Sequence, residues 1–442
     1  MTKKLSFLDW VFVGSLLAIF GGIVLHAPIS VGLSTLLPHA DLVIKSWKEI
    51  LMGVALLTSI AVLTVRKQWS ILGDKLIGYI ALFGALNLLT IPLFYTGFDA
   101  TIAGLFINLR FLLFFVLVFV AIKLYPQLYR LFLTVFFAGA LLVVGFAVLQ
   151  VTVLPNDFLK YIGYGESTIM PYLTVDQNEA FVRINSTLRG PNPLGVYAVV
   201  VLAVVLAAWL RGTRPFTRRE AILAGILAAG SVVALWASYS RSAALAAAAA
   251  VGLVLLVTYG RTIPKLVWIA VLAGTLVLAG SLVVLKDTQF VSQVILHEDP
   301  HEGNNVNSND GHADSLVDGT RLMLMQPLGA GIGSTGSASL LTDKPVIIEN
   351  QYLFVAHETG WIGFVLFIMI NYVVLKRLWL GRAQWLALGV FASGIGLAIA
   401  ALFLPVWVDD TVSIIWWGLA AIALAIPVAV AKTKQGKKAK KS

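Results

Sequence analysis

The chain has 442 residues, of which 59% are hydrophobic and 12% are charged, and its formal net charge is +10. Soluble domains are about half apolar and about one quarter charged, so this composition excludes a soluble multidomain protein. The sequence contains no cysteine, which excludes disulfides, thiol nucleophiles and thiolate metal sites.

Apolar runs long enough to cross a bilayer recur from one end of the chain to the other, and they predict an all-α, polytopic integral membrane protein. The first run carries no small-residue cleavage site, so it is interpreted as a span and not as a signal peptide. We predict one membrane domain over residues 1–442 with about twelve transmembrane helices, eleven or thirteen being the alternatives. The predicted spans are 9–29, 47–65, 76–96, 103–123, 131–153, 194–210, 221–238, 242–259, 266–285, 351–375, 385–405 and 411–431.

Lysine and arginine predict the orientation of these spans. With both termini cytoplasmic, the inner segments hold 22 of the 32 basic residues, and the outer segments are net negative. The positive charge is therefore a topology signal and not a sign of nucleic-acid binding. The lysine-rich end, residues 432–442, is predicted to be a cytoplasmic tail at the surface of anionic lipid.

Two connections are long, and both are predicted to face outward: residues 154–193 and residues 286–350. Connections of this length are usually functional or disordered, so these two loops are where we expect the chemistry. Charges within the predicted spans are almost absent, Arg110 being the main exception. Ion-coupled carriers usually have such charges, so a carrier is disfavoured.

The first long loop ends in the stretch "RINSTLRGPNPLG", residues 183–195. Its "GPNP" segment, Gly190 to Pro193, is predicted to be a non-helical turn, because proline lacks a donor and the residue before a proline avoids the α conformation, and the sixth span is predicted to begin near Pro193. Arg183 and Arg189 therefore stand beside a helix N-terminus, an arrangement that favours an anion and especially a phosphate. The alternative is that both arginines contact lipid headgroups.

A second polar stretch, "SYSRSAAL", separates the seventh and eighth predicted spans. Its arginine, Arg241, must lie at or just below the outer surface. Taken alone, this pattern is more typical of an arginine that extends to the membrane interface than of a functional residue.

The second long loop contains the stretch "HEDPHEGNNVNSNDGHAD", residues 297–314. Its three histidines raise the question of a metal site, but His297 and His301 would share one side only in a helix. Pro300 and the asparagine run disfavour that helix, so we predict a solvated, mobile loop.

The same loop continues with "DGTRLMLMQPLGAGIGS", in which Arg321 precedes a glycine-rich run. The run is similar to a dinucleotide-binding loop, but it follows no strand and opens no βαβ unit, so that interpretation fails. A tight loop and a helix-packing segment both remain open.

The loop ends at the tenth predicted span with "IIENQYLFVAHETGWIGF". Glu349 lies at the outer mouth of this span, where it is either an ordinary interface residue or a general base. His357 and Glu358 lie further into the span. Burial of such a pair would be costly, which marks these two residues as candidates for a specific role.

Together, these stretches resemble the O-antigen ligase and polymerase family of bacterial envelope glycosyltransferases, with similarity spread from about residue 70 to residue 365. "RINSTLRGPNPLGVY" is similar to the family's arginine and Pro-Asn stretch, and "SRSAAL" to its Arg-x3-Leu pattern. "TRLMLMQPLGAGIGS" is similar to its Arg…Pro-x-Gly-x-Gly block, and "ENQYLFVAHETGWIG" to its His-Asn-x9-Gly-x-x-Gly pattern. Each block is loose, and their order around two outward loops carries the resemblance.

The resemblance implies a polytopic glycosyltransferase fold and an enzyme of the cytoplasmic membrane whose active site faces outward. Its implied donor is a glycan on undecaprenyl diphosphate, its acceptor is a glycan or a lipid, and no metal or other cofactor is implied. Arginines would stabilise the leaving diphosphate, and a base would activate the acceptor hydroxyl for inverting attack. The catalytic candidates are Glu349, Arg189 and Arg241. The candidates for substrate binding are Arg183, Arg321, Asn192, Asn350 and Arg110.

The chain departs from the family at one position, because Glu349 stands where ligases have a histidine. This weakens a ligase relative to a polymerase or another glycan transferase, and His312 is an alternative base of lower rank. Two other functions stay open. A flippase or exporter would need a hydrophilic path through the spans. A cell-wall polymerase of the shape, elongation and division type would need a catalytic aspartate, which Asp314 or Asp318 could supply.

Overall fold

The computed structural model describes residues 5–175, 178–260 and 308–426, with a few isolated positions between 262 and 288. The prediction of a mostly helical chain is confirmed, since 75% of it is helix. The helices are α1 Phe7–Gly22, α2 His26–Leu36, α3 Asp41–Lys45, α4 Trp47–Arg66, α5 Lys75–Thr90, α6 Phe98–Leu124, α7 Tyr129–Thr152, α8 Pro191–Arg211, α9 Arg218–Ala237, α10 Arg241–Tyr259, α11 Ser308–Met325, α12 Gly336–Ser339, α13 Gln351–Leu380, α14 Trp385–Ala400 and α15 Asp410–Ala425. The strands are β1 Leu173–Val175 and β2 Asn178–Arg183.

Eight helical segments of the described chain are long and apolar enough to cross a membrane. Three shorter apolar helices, α5, α14 and α15, coincide with three further predicted spans. The predicted span at 266–285 and the basic tail at 432–442 lie outside the described residues, so the count of about twelve stays a prediction. The first span is longer than predicted, because α1 continues through one 3₁₀ turn into α2 and reaches Leu36.

Local sequence explains where several helices begin. Ser6 and Asp9 form a capping box at α1, and Thr217 with Glu220 forms another at α9. The expectation that Gly190 to Pro193 are non-helical is wrong from Pro191 onward, because α8 begins at Pro191 and a missing N–H costs nothing in the first turn of a helix. Asp409 caps α15 by accepting the backbone N–H of Val412.

The core of the bundle lies around α8, of whose membrane-length window 72% is buried inside the protein. Small residues let helices approach it closely. A Cβ added at Gly389 of α14 would lie 2.8 Å from Val204 Cα of α8, and one at Gly396 would lie 2.6 Å from Ala246 O of α10. On the other side of the core, α15 packs along α6.

Both long loops contain more structure than the sequence predicted. The first holds the antiparallel hairpin of β1 and β2 and a 3₁₀ turn at Phe158–Ile162. The second holds α11 and α12. The expectation of a mobile loop up to residue 314 is wrong from Ser308 onward, because α11 begins there and packs along α13. His297 and His301 lie outside the described residues, as does the side chain of His312.

Candidate active site

The arginine loop, residues 183–190, is held in place by its own backbone and by Arg183. Arg183 Nε donates to the carbonyl of Ser238 at 2.9 Å, and its Nη2 donates to Asn192 Oδ1 at 2.7 Å. Ile184 N donates to the Ala237 carbonyl at 3.1 Å. These bonds join the loop to the turn between α9 and α10, so two of the stretches noted in the sequence are physically connected.

The middle of the arginine loop is buried and fully turned inward. Ser186 adopts a positive φ of 51°, its N–H donates to Gln150 Oε1 at 2.8 Å, and its hydroxyl donates to the Val143 carbonyl at 2.7 Å. Arg189 follows directly and is exposed. Within the described residues, its guanidinium makes no hydrogen bond and no ion pair. The loop is therefore a rigid support for one available cation.

Arg189 lies where two cavities meet. The apolar cavity has a volume of about 410 Å³ and the polar cavity has a volume of about 790 Å³. Four residues line both: Arg189, Ser337, Val408 and Asp409. The apolar cavity is otherwise lined mainly by side chains such as Pro193, Val196, Ile348, Phe354, Leu404 and Val412.

Two more of the predicted site residues line the apolar cavity, namely Glu349 and Asn192. Glu349 is half-buried, and its backbone N–H donates to Ser315 Oγ of α11 at 3.1 Å. Asn192 accepts the hydrogen bond from Arg183. The structure thus brings together Arg189, Asn192 and Glu349, which are separated by up to 160 positions in the sequence.

Asn350 has a different position from its neighbour Glu349. Its Oδ1 accepts the backbone N–H groups of Tyr352 and Leu353, and its Nδ2 donates to the Leu402 carbonyl at 2.9 Å. It is buried and caps α13. Asn350 therefore fixes the start of α13 next to Glu349. Its contact with substrate stays a prediction.

The floor of the polar cavity is a network of charges. Arg110 of α6 pairs with Asp410 and donates to the Val408 carbonyl. Lys48 of α4 lies 3.0 Å from Asp410 and 3.2 Å from Glu49. Arg110 and Lys48 are both buried. Charges within the helices are therefore more numerous than the sequence suggested, because residues on separate helices neutralise each other in the folded protein.

Asp409 is a site residue that the sequence analysis missed. It lines both cavities beside Arg189, while its Oδ1 accepts the Val412 N–H at 2.9 Å. Burial raises the pKa of its carboxyl to about 6, the neighbouring Asp410 adds to the increase, and the Val412 N–H and Arg189 oppose it. The available signal was the pair of aspartates before the last span, since a helix needs only one cap.

Arg241 and Arg321 lie elsewhere. Arg241 is the exposed first residue of α10, and Arg321 is exposed on α11. Neither is among the residues that line the two cavities. Of the predicted arginines and Glu349, it is Arg189 and Glu349 that line the described walls of these cavities.

The glycine loop, residues 327–336, is a packing element. Gly329, Gly331 and Gly333 all have positive φ, and a Cβ at Gly333 would lie 2.1 Å from the Ala100 carbonyl oxygen. Its path meets a break in α13 at Gly360, where φ is 67°. Trp361 N donates to the Pro327 carbonyl at 2.9 Å across this break.

Glu358 is the carboxylate that holds the glycine loop. It is fully buried, and its Oε1 accepts the Gly333 N–H at 2.9 Å, while its Oε2 accepts from Asn108 Nδ2 at 2.6 Å. The sequence marked Glu358 as a candidate for a specific role because burial of a carboxylate is costly. In the structure, its hydrogen bonds to the glycine loop and to Asn108 offset that cost.

Residues 226–368 match the model of a family described as O-antigen ligase. The matched segment includes Arg241, Arg321, Glu349 and the glycine loop, whereas Arg189 and the helices that form the floor of the polar cavity lie outside it. No curated protein matches the chain.

Proposed function

Through residues 226–368 the chain belongs to the O-antigen ligase family, and from this premise we propose its reaction. The protein transfers a glycan from an undecaprenyl-diphosphate carrier to a glycan or lipid acceptor at the outer face of a bacterial cytoplasmic membrane. The transfer inverts the anomeric centre and needs no metal ion. The protein is accordingly a ligase or polymerase of surface polysaccharide such as O-antigen.

The observation that carries this proposal is the position of Arg189. Its guanidinium is exposed, makes no ion pair within the described residues, and stands at the junction of an apolar and a polar cavity. A lipid-linked diphosphate has the matching order of parts: an apolar chain, a doubly phosphorylated link and a hydroxyl-rich glycan. A guanidinium binds phosphate oxygens bidentately, so it suits the middle part.

The apolar cavity supports the placement of the carrier's isoprenoid chain. Two of its lining side chains are largely exposed, Leu340 at 63% and Ile347 at 51%. Exposed apolar side chains at the rim of a cavity suit contact with lipid. In this proposal the cavity opens toward the hydrocarbon region, from which a polyprenyl chain would enter.

The chemistry follows from Glu349 and Arg189. The Glu349 carboxylate accepts the proton of the acceptor hydroxyl, whose oxygen forms a bond to the anomeric carbon from the side opposite the diphosphate. The bond between that carbon and the diphosphate oxygen breaks, and the electron pair leaves with the diphosphate. Arg189 stabilises the charge that develops there, which is worth about 10²–10³-fold in rate for one donor of this kind.

The other predicted residues have supporting parts in this proposal. Arg183 holds Asn192 and the arginine loop, and Arg110 holds Asp410 at the floor of the polar cavity. Arg241 and Arg321 keep their assignment from the family resemblance alone. They would contact substrate only where it extends beyond the two cavities.

Reconstituted protein, incubated with a glycan on undecaprenyl diphosphate, tests the proposal. With the donor alone, a ladder of products identifies a polymerase. A single addition that requires an acceptor identifies a ligase. Movement of intact donor across the membrane without transfer would overturn the proposal in favour of a transporter. Chelator should leave transfer unchanged.

A further inference from the structure

The polar cavity has a wall built largely outside the family-matched segment. His26 and Lys48 come from α2 and α4, Arg110 comes from α6, and Asp410 comes from α15. Residues 167–169 of the first long loop close one side. At about 790 Å³, the cavity lies within the range of about 300–1,000 Å³ that is usual for ligand sites.

Apart from Asp409 and Arg189, the charged side chains in this wall form ion pairs with one another. Lys48 and Arg110 both pair with Asp410, and Lys45 lies 2.9 Å from Asp41. His26 Nε2 is 3.4 Å from Asp410. Among the described lining cations, Arg189 alone makes no ion pair. Away from Arg189, the wall therefore offers little net charge to a ligand.

Hydroxyl-bearing side chains also line the cavity. Among the described residues these are seven serines and threonines: Ser30, Ser34, Thr35, Ser167, Thr168, Ser337 and Thr411. Hydroxyls and paired charged groups both donate and accept hydrogen bonds. A neutral ligand rich in hydroxyls matches such a wall, whereas a second anion would have to displace an internal carboxylate.

We propose that the polar cavity is a sugar-binding subsite, in which α2, α4 and the 167–169 loop select the glycan next to the diphosphate held by Arg189. This inference rests on the proposed function, because Arg189 and the apolar cavity fix which end of the cavity faces the carrier. A sugar with a different arrangement of hydroxyl groups would leave hydrogen-bond donors and acceptors of the cavity wall unpaired, and this cost would provide the selectivity. The glycan belongs either to the donor or to the acceptor.

The test fills the cavity and compares two lipids. Ala103 of α6 lines the polar cavity, is half-buried and lies outside the reacting groups. Ala103→Phe should weaken binding of the glycan-bearing carrier at least tenfold and leave binding of glycan-free undecaprenyl diphosphate unchanged. Ala138→Phe is the matched control, since Ala138 is an exposed position on α7, and it should change neither.

The outcomes separate this inference from the proposed function. If wild-type protein does not bind glycan-free undecaprenyl diphosphate, the proposed function itself fails. If it binds that lipid and Ala103→Phe weakens both lipids equally or neither, the sugar subsite alone is overturned. If Ala103→Phe raises the KM for the donor, the subsite holds the donor glycan. If it raises the KM for the acceptor, the subsite holds the acceptor glycan. A melting temperature of Ala103→Phe within a few degrees of that of the control variant excludes a folding defect as the cause of these results.

Discussion

The arginine loop and the glycine loop are two motif-bearing regions on the same side of the bundle, and they differ in where their polar groups go. In the arginine loop, buried hydrogen bonds such as those of Ser186 hold the backbone in place, and the guanidinium of Arg189 faces a cavity. In the glycine loop, all the close contacts are internal, and the buried carboxylate of Glu358 closes the structure. Two sequence motifs that look equally significant can therefore have different roles, one in binding a ligand and the other in packing.

This difference separates function from packing within a single family resemblance. Replacement of a group that the protein has already satisfied should lower stability. Replacement of a group that the protein leaves available should lower activity and leave stability intact. Variants in the two loops can therefore confirm or break the comparison directly.

The largest expected effect is on transfer by Arg189→Ala. We expect the transfer rate to fall by about 10²–10³-fold, because the leaving diphosphate loses its guanidinium. The melting temperature should stay near the wild-type value, since Arg189 is exposed and makes no internal hydrogen bond or ion pair within the described residues. Arg189→Lys should recover part of the rate, because it restores the charge without the bidentate geometry.

Arg183→Ala is the matched control from the same loop. It removes the hydrogen bonds to Ser238 and Asn192 and should cost about 1–3 kcal/mol of stability. Normal transfer by Arg189→Ala in vesicles, or equal loss of stability in both variants, would contradict the distinction between the two arginines.

The next effect is on stability, from Gly333→Ala. The new Cβ would meet the Ala100 carbonyl at 2.1 Å, and the backbone is held at a φ of 81°. Overpacking against backbone together with an unfavourable φ should cost about 2–5 kcal/mol. Thermal unfolding in detergent should show this as a clear decrease in melting temperature.

Gly84→Ala is the corresponding control. Gly84 is a helical residue of α5, and a Cβ there has nothing within 4 Å. This variant should be neutral or slightly more stable, by less than about 1 kcal/mol. Equal melting temperatures for the Gly333 and Gly84 variants would show that the glycine loop is not a packing element.

Local pattern was sufficient for much of the fold. Eleven of the predicted spans coincide with apolar helices of the described chain, because each span is a continuous run of apolar residues. The presence of a helix start near Pro193 was also predictable, but its exact position was not. The prolines predicted a non-helical turn through Pro193, whereas α8 begins at Pro191, because a proline is tolerated in the first turn of a helix.

Local pattern was not sufficient for the polar cavity. Lys48 and Asp410 are 362 positions apart and meet only because α4 and α15 reach the same side of the bundle. In the sequence, each looks like an ordinary charge at the end of a span. Asp409 was overlooked for the same reason. Pairing between distant charges lowers the cost of burial, and single-sequence patterns do not report it.

The smallest expected effect is a pH dependence that comes from Asp409. Its raised pKa of about 6 means that it loses its proton as the pH rises through 6. The ionised form of Asp409 then competes with diphosphate for Arg189. Asp410 and Arg110 are the other charged groups that act on Asp409. Binding of glycan-free undecaprenyl diphosphate should therefore tighten as the pH falls from 7 to 5, by up to about tenfold, the equivalent of about one pKa unit.

Asp409→Asn isolates this contribution from the titration of the phosphate itself. Asparagine is as good a helix cap as aspartate, so α15 should keep its start. The variant should bind the lipid at pH 7 as tightly as wild-type protein does at pH 5, after correction for the pH dependence that the variant retains. If the pH profile of lipid binding is the same in Asp409→Asn as in the wild-type protein, Asp409 does not compete with diphosphate for Arg189. Loss of transfer in Asp409→Asn, together with normal transfer in Glu349→Gln, would make Asp409 the base in place of Glu349, because only the base must take up the proton of the acceptor hydroxyl.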